Sequence, residues 1–248
     1  MHRRYVKYTN CNGQTISFGK NGFLCEKMEI SKAPARYNSF IPISGSGQIT
    51  SGYDAAPLPI KLQCALVDPK DFFINRQLAI DVFTPTAPGI ITVINDDGEY
   101  SIEAHLISRP EFVRAGSHSW RWEAEFIADY PYWKKGEKHS VTLSIGDNTV
   151  YNNSPVSVPV EIKIFYSGKV QNSTIGQGFN HSAPPTGASY YTVFTEDFKV
   201  IDNNGNDCNN RIISGDIGDI VLVPGNNTIL STGTNTVLYW QELRGGVL

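Results

Sequence analysis

The chain has 248 residues, a net charge of −3 and a pI near 6.0. That length suits one large β domain or two of ordinary size, and a chain this long buries most of its apolar surface on folding. Lys and Arg are scattered, with Arg3-Arg4 a small cluster near the start, which argues against a nucleic-acid-binding role. No run is long and apolar enough for a transmembrane helix, and Met1-His2-Arg3-Arg4 leads into Tyr5-Val6-Lys7-Tyr8 rather than a secretory core.

Gly, Asn, Thr, Ser and Pro are plentiful and Met occurs twice, a mixture suited to short strands joined by tight turns. The cysteines, at 11, 25, 64 and 208, lack C-x-x-C spacing and predict no metal site. Cys25 and Cys64 fall in apolar strand-like runs, where a thiol behaves as a small hydrophobe. The chain is expected to fold in cytoplasm with reduced thiols and to need no cofactor.

In chain order, Asn12-Gly13 separates Tyr5–Thr9 from 15–18, and Asp97-Gly98 separates 90–94 from 100–107. Both predict two-residue hairpin turns, because Asn, Asp and Gly tolerate positive φ. Between them, Asp68-Pro69-Lys70-Asp71 predicts a helix start, with Asp68 as N-cap and Pro69 in the first turn. Phe72, Ile74, Leu78, Ala79, Val82 and Phe83 follow at roughly helical spacing, and Pro85 ends the run. One substantial helix, about 68–84, is therefore expected to cover a sheet. Ser119–Ala128 alternates, placing Trp120, Trp122, Ala124, Phe126 and Ala128 on one face and Arg121, Glu123, Glu125 and Ile127 on the other.

The Pro- and Lys-bearing stretch 130–138 reads as a boundary between domains 1–136 and 137–248. Beyond it, strands are predicted at 139–144, 158–166, 190–194, 198–202, 219–222, 227–231 and 237–242, a spacing that suggests a sandwich. Residues 168–189 are predicted to form a long surface loop, and no repeat of fixed period is evident.

Few residues suggest chemistry. Glu123 and Glu125 share a strand face, as paired glycosidase carboxylates can, but such a pair on the polar side of a strand ordinarily forms a solvated charged face. The segment 202–207 lacks the Gly and Glu positions of a calcium loop and reads as a hairpin turn. His181 and Cys208 are joined as a catalytic pair by nothing in the sequence. The stretch 33–43 carries Arg36, Tyr37, Phe40, Ile41 and Ile43 among two prolines, and reads either as a loop packed on its own domain or as an arm that docks on a neighbouring subunit. A carbohydrate-binding alternative would draw its aromatic platform from Tyr190, Tyr191 or Trp240.

The order of these elements resembles the distal tail proteins of long-tailed, non-contractile phages. In the first half, the Asn12-Gly13 hairpin and Ser31-Lys32-Ala33-Pro34 lead to the strand 59–66 and the helix. The 90–107 hairpin, Arg109-Pro110-Glu111-Phe112 and Asp129-Tyr130-Pro131-Tyr132-Trp133 follow. In the second half, Asn153-Ser154-Pro155, Val158-Pro159-Val160-Glu161-Ile162 and Leu222-Val223-Pro224-Gly225-Asn226-Asn227 agree with the family pattern. The resemblance implies an all-β chain with one helix, its amino-terminal domain a tail-tube-like split β-barrel that forms rings and its carboxy-terminal domain a galectin-like β-sandwich. It also implies a non-enzymatic hub at the virion tail tip, hexameric and possible as two stacked rings, in a phage or prophage. Its partners would be copies of itself, the tail tube protein and a tail-associated or tip protein, with no membrane and no sequence-specific nucleic acid.

Overall fold

The computed structural model describes residues 5–31, 35–40, 49–68, 70–84, 87–166, 173–176, 178–182, 189–232 and 235–246, with the backbone alone for 35–40, 49–55 and 173–174. The chain separates into two compact units, Met1–Trp133 with Gly245–Leu248, and Lys134–Arg244.

The first unit is built from β1 (Tyr5–Thr9), β2 (Thr15–Ser17), β3 (Phe23–Ile30), β4 (Ala35–Phe40), β5 (Ile49–Ala55), β6 (Leu58–Val67), α1 (Phe72–Val82), β7 (Gly89–Asn95), β8 (Gly98–Leu106), β9 (Val113–Gly116) and β10 (Ser119–Ala128). Its main sheet is antiparallel in the order β2-β1-β7-β8-β10-β6-β3, with β9 on β10, and the described strands leave it open between β2 and β3. The alternation of β10 puts Trp122, Ala124, Phe126 and Ala128 in the core with Leu58, Ile60, Leu62, Ile91, Val93 and Ile102. Trp133 ends the unit with its side chain fully buried.

Both predicted hairpins form, with different turns. Thr9 pairs with Thr15, so five residues connect β1 to β2, and the Asn10 carboxamide accepts the Asn12 and Gln14 N–H groups at 3.0 Å each. Asn95 pairs with Gly98, making Asp96-Asp97 the two-residue turn. The helix starts at Phe72, later than expected. Asp68 is not its N-cap; its carboxylate accepts the N–H groups of Lys70 and Asp71 at 2.9 and 3.1 Å and the Asn75 amide at 2.6 Å, bracing the approach to α1. Phe72, Ala79, Val82 and Phe83 face the core, and Phe83 meets Tyr8, Trp122 and Phe126. Ile74 does not join them: it projects outward with Phe73, each 72% exposed. Pro69 and Pro85 lie outside the described residues.

The second unit contains β11 (Trp133–Leu143, entered through the last residue of the first unit), β12 (Gly146–Asn152), β13 (Val158–Phe165), β14 (Ser173–Ile175), β15 (Phe179–His181), β16 (Tyr190–Phe194), β17 (Lys199–Asp202), β18 (Ile212–Ser214), β19 (Val221–Leu222), β20 (Gly225–Ser231) and β21 (Thr236–Arg244). One sheet runs β11-β21-β13-β16-β17 and the other β12-β20-β14-β15-β18. The first buries Val160, Ile162, Ile164, Tyr191 and Val193, the second Val150, Ile175, Phe179 and Ile229. The His181 ring of one sheet meets the Tyr191 ring of the other at 4.2 Å, edge to face, so these buried faces pack on each other. The expected surface loop at 168–189 therefore contains a hairpin, β14–β15, whose second strand enters the core.

Two asparagines organise this unit. Leu143–Asn148 and Leu222–Asn227 share the pattern Leu-x-x-Gly-x-Asn, and both Gly146 and Gly225 have positive φ (103° and 90°). The Asn227 carbonyl accepts the Val223 N–H at 2.8 Å, while its amide donates to the carbonyls of Val223, Gly225 and Val150 at 2.8, 3.0 and 3.3 Å. Asn148 repeats this with Ser144, Gly146 and Ile229. Because β12 pairs with β20, each side chain also stitches its own turn to the opposing strand.

Candidate functional site

The outer face of β10 and β6 carries the charged residues that alternation assigned to it. Lys61 reaches both Glu123 and, at 3.4 Å, Glu125, and Arg121 pairs with Glu26 at 3.0 Å. Direct register explains the geometry, since Glu125 stands opposite Lys61 and Glu123 opposite Gln63, one pleat along. The Lys61 ammonium is held above its ordinary pKa, first by its bond to Glu123. An open depression of about 630 Å³ borders these side chains. Both carboxylates are bound to the same cation on an exposed sheet, an arrangement of a solvated ion-pair network rather than of a paired acid and base around a cleft.

The segment expected to act as a loop or arm contains strand structure. β4 and β5 form an antiparallel hairpin that constitutes a two-stranded sheet of its own, with Arg36 opposite Asp54, Tyr37 opposite Tyr53 and Phe40 opposite Ile49. Arg36, Tyr37 and Phe40 thus sit on β4, while Ile41 and Ile43 lie outside the described residues. No strong alternation of apolar residues announced this hairpin.

The three aromatic residues considered for a sugar platform do not converge. Tyr191 is fully buried in the second unit's core, where its ring is closed to a ligand. Trp240 stands opposite Val160 and Tyr190 opposite Phe165, on β13's two different neighbours. The two positions are offset by five along β13, roughly 17 Å, and the odd offset places them on opposite sheet faces. Trp240 stacks on His139 at 5.3 Å, and the Tyr190 ring carries the Lys163 ammonium at 3.9 Å. A flat, multi-ring platform is therefore not formed by this set.

His181, expected in a loop, is wholly buried on β15. Its Nδ1 lies 3.2 Å from the Tyr166 hydroxyl, and burial, reinforced by the Arg211 charge, pushes its pKa down to about 4. Burial raises the Cys208 thiol. A neutral imidazole and a protonated thiol, each enclosed, serve the core and not nucleophilic catalysis. In the turn 202–206, the Asp202 carboxylate is occupied by the N–H groups of Asn204 and Asn206 and by the Asn206 amide, at 2.8, 2.9 and 2.9 Å. Among the described residues, no group of three or more His, Cys, Asp or Glu side chains is placed to hold a metal ion, and no helix is long and apolar enough to cross a membrane.

What the geometry offers is extended surface: an open ion-paired sheet, a separate hairpin, and an apolar Phe73-Ile74 pair on α1. Among the described residues the fold is all-β with one α-helix, and it is shared with a phage hub protein and with phage baseplate chains. Over 98% of this chain and 99% of the other, it matches the Dit protein (gp 19.1) of phage SPP1, described as a paradigm of the hub adsorption apparatus in phages infecting Gram-positive hosts, with a TM-score of 0.70 at 12% identity. A chain of the phage P2 baseplate in its activated conformation with calcium matches over 99% of this chain and 100% of its own length, with a TM-score of 0.64 at 7% identity. A chain of the strontium-activated baseplate gives 0.57 at 7% identity. No family model and no curated protein matches the sequence.

Proposed function

We propose that this chain is a structural, non-enzymatic component of a phage or prophage tail tip, assembling with copies of itself into a ring-shaped hub. The observation that carries this reading is the whole-length match to the SPP1 Dit protein, which leaves almost no part of either chain unaccounted for. In this reading, 1–136 is the ring-forming domain, 137–248 a peripheral galectin-like domain, and the tail tube and a tail-associated or tip protein are the axial partners. A closed, heterologous ring of six subunits would cover sheet edges such as those left at β2 and β3. The β4–β5 hairpin, with Arg36, Tyr37 and Phe40 on one strand and Ile41 and Ile43 beyond it, is the proposed arm onto the neighbour.

Negative-stain imaging and light scattering of the purified chain test this. Annular particles at micromolar concentration are expected, and deletion of residues 33–43 should reduce oligomer mass while leaving the far-ultraviolet CD spectrum that of a β protein. A strictly monomeric chain throughout that range would overturn the hub reading, and an unchanged oligomer after the deletion would remove the arm from it.

A further inference from the structure

Cys25 and Cys64 face each other directly across β3 and β6. The Gly22 carbonyl accepts the Val67 N–H at 2.9 Å, which marks 22 and 67 as a hydrogen-bonded pair. Alternation along the ladder then makes 24 with 65 the next such pair and leaves 23 with 66, and 25 with 64, as non-hydrogen-bonded pairs. In that position opposed Cα atoms approach to about 4.5 Å and the two side chains rise from the same face. A disulfide spans Cα separations of about 4.4 to 6.8 Å. The pair therefore lies within bonding reach at its short end, next to the register shift that follows Cys25.

Access is one-sided. Cys64 is buried, whereas Cys25 is half-buried and lines an open cavity of about 320 Å³ at the seam beside β3, together with Tyr5, Phe18, Leu24 and Met28. We infer that Cys25 and Cys64 form a redox-switchable staple that ties the edge strand β3 to β6 when the chain meets a small-molecule disulfide. The Cys25 thiolate attacks one sulfur of oxidised glutathione, giving a mixed disulfide and releasing one glutathione thiolate. The Cys64 thiolate then attacks the Cys25 sulfur, closing the protein disulfide and releasing the second glutathione. Two protein thiols are oxidised and one glutathione disulfide is reduced, so atoms and electrons balance.

Two properties follow. Burial raises both thiols, Cys25 to about 11, so the exchange is slow at neutral pH and accelerates as pH rises. The closed loop, residues 25–64, contains the entire β4–β5 hairpin, so the staple anchors both ends of that element. This inference does not depend on the hub reading.

The test incubates the full chain with oxidised glutathione at mildly alkaline pH until exposed Cys11 is fully modified, then alkylates remaining thiols in denaturant and maps peptides without reduction. A peptide joining Cys25 to Cys64 is expected, with the first unit's Tm raised by about 10 °C relative to the reduced chain. Cys64→Ala should instead retain glutathione on Cys25. Stable glutathione on Cys25 of the unmutated chain with Cys64 still alkylated would overturn the staple, as would both thiols remaining free once Cys11 is modified.

Discussion

Acid should weaken the second unit through His181. Its ring is enclosed by Phe179, Tyr191 and Tyr166, with the Arg211 charge also acting on it, and its folded-state pKa is about 4 against an ordinary value of 6.5. Above pH 6.5 the imidazole is neutral in both folded and unfolded chains and contributes no pH dependence. Between pH 6.5 and 4 the unfolded chain binds a proton that the folded chain refuses, so stability falls as pH falls. At about 1.4 kcal/mol per pH unit, the loss reaches about 3 kcal/mol by pH 4. Hydrogen exchange of peptides from 134–244, followed from pH 7 to pH 4 after correction for intrinsic rates, reads this unit separately from the first. The comparison is with His181→Asn, which keeps a polar group near Tyr166 and cannot titrate. The two proteins should differ in slope, the variant lacking about 3 kcal/mol of the acid loss. Parallel curves would refute the assignment of a neutral, proton-refusing imidazole to this core.

Two further substitutions probe the backbone scaffold. Asn227→Ala removes the side chain that joins its turn to β12 and with it the side-chain bonds to the Val223 N–H and the buried Val150 carbonyl; a loss of about 1–3 kcal/mol in urea unfolding is expected, against less than about 0.5 kcal/mol for the exposed neighbour change Asn226→Ala. At Gly89 an added Cβ would lie 2.6 Å from both the Thr9 carbonyl oxygen and the Tyr8 ring. Gly89→Ala should therefore cost about 1–3 kcal/mol by forcing β1 and β7 apart, measured as a lowered midpoint for the first unit's denaturation.

Local periodicity was enough to recover much of the frame. The two-residue alternation of Ser119–Ala128 identified both the buried row ending in Phe126 and Ala128 and the charged row of Arg121, Glu123 and Glu125, because a strand's pleat assigns faces without reference to its partners. The order of turn, strand and helix signals likewise carried the resemblance to distal tail proteins. The helix was legible as an element but not in its orientation: with apolar residues at 72, 73, 74, 78 and 79, several faces competed, and only packing against Tyr8, Trp122 and Phe126 decided that Phe73 and Ile74 turn outward.

Convergence belonged wholly to tertiary structure. Whether Tyr190, Tyr191 and Trp240 meet depends on which residues of β13 they oppose, and register between distant strands is set by the filling of the second unit's core. The same long-range pairing buries His181, gives Lys61 both glutamates and brings Cys25 opposite Cys64 across 38 intervening positions. By itself the sequence determined an alternating, turn-rich β chain with one helix and no strong catalytic motif. The folded chain decided which side chains became neighbours, because strand pairing joins residues that no local period relates.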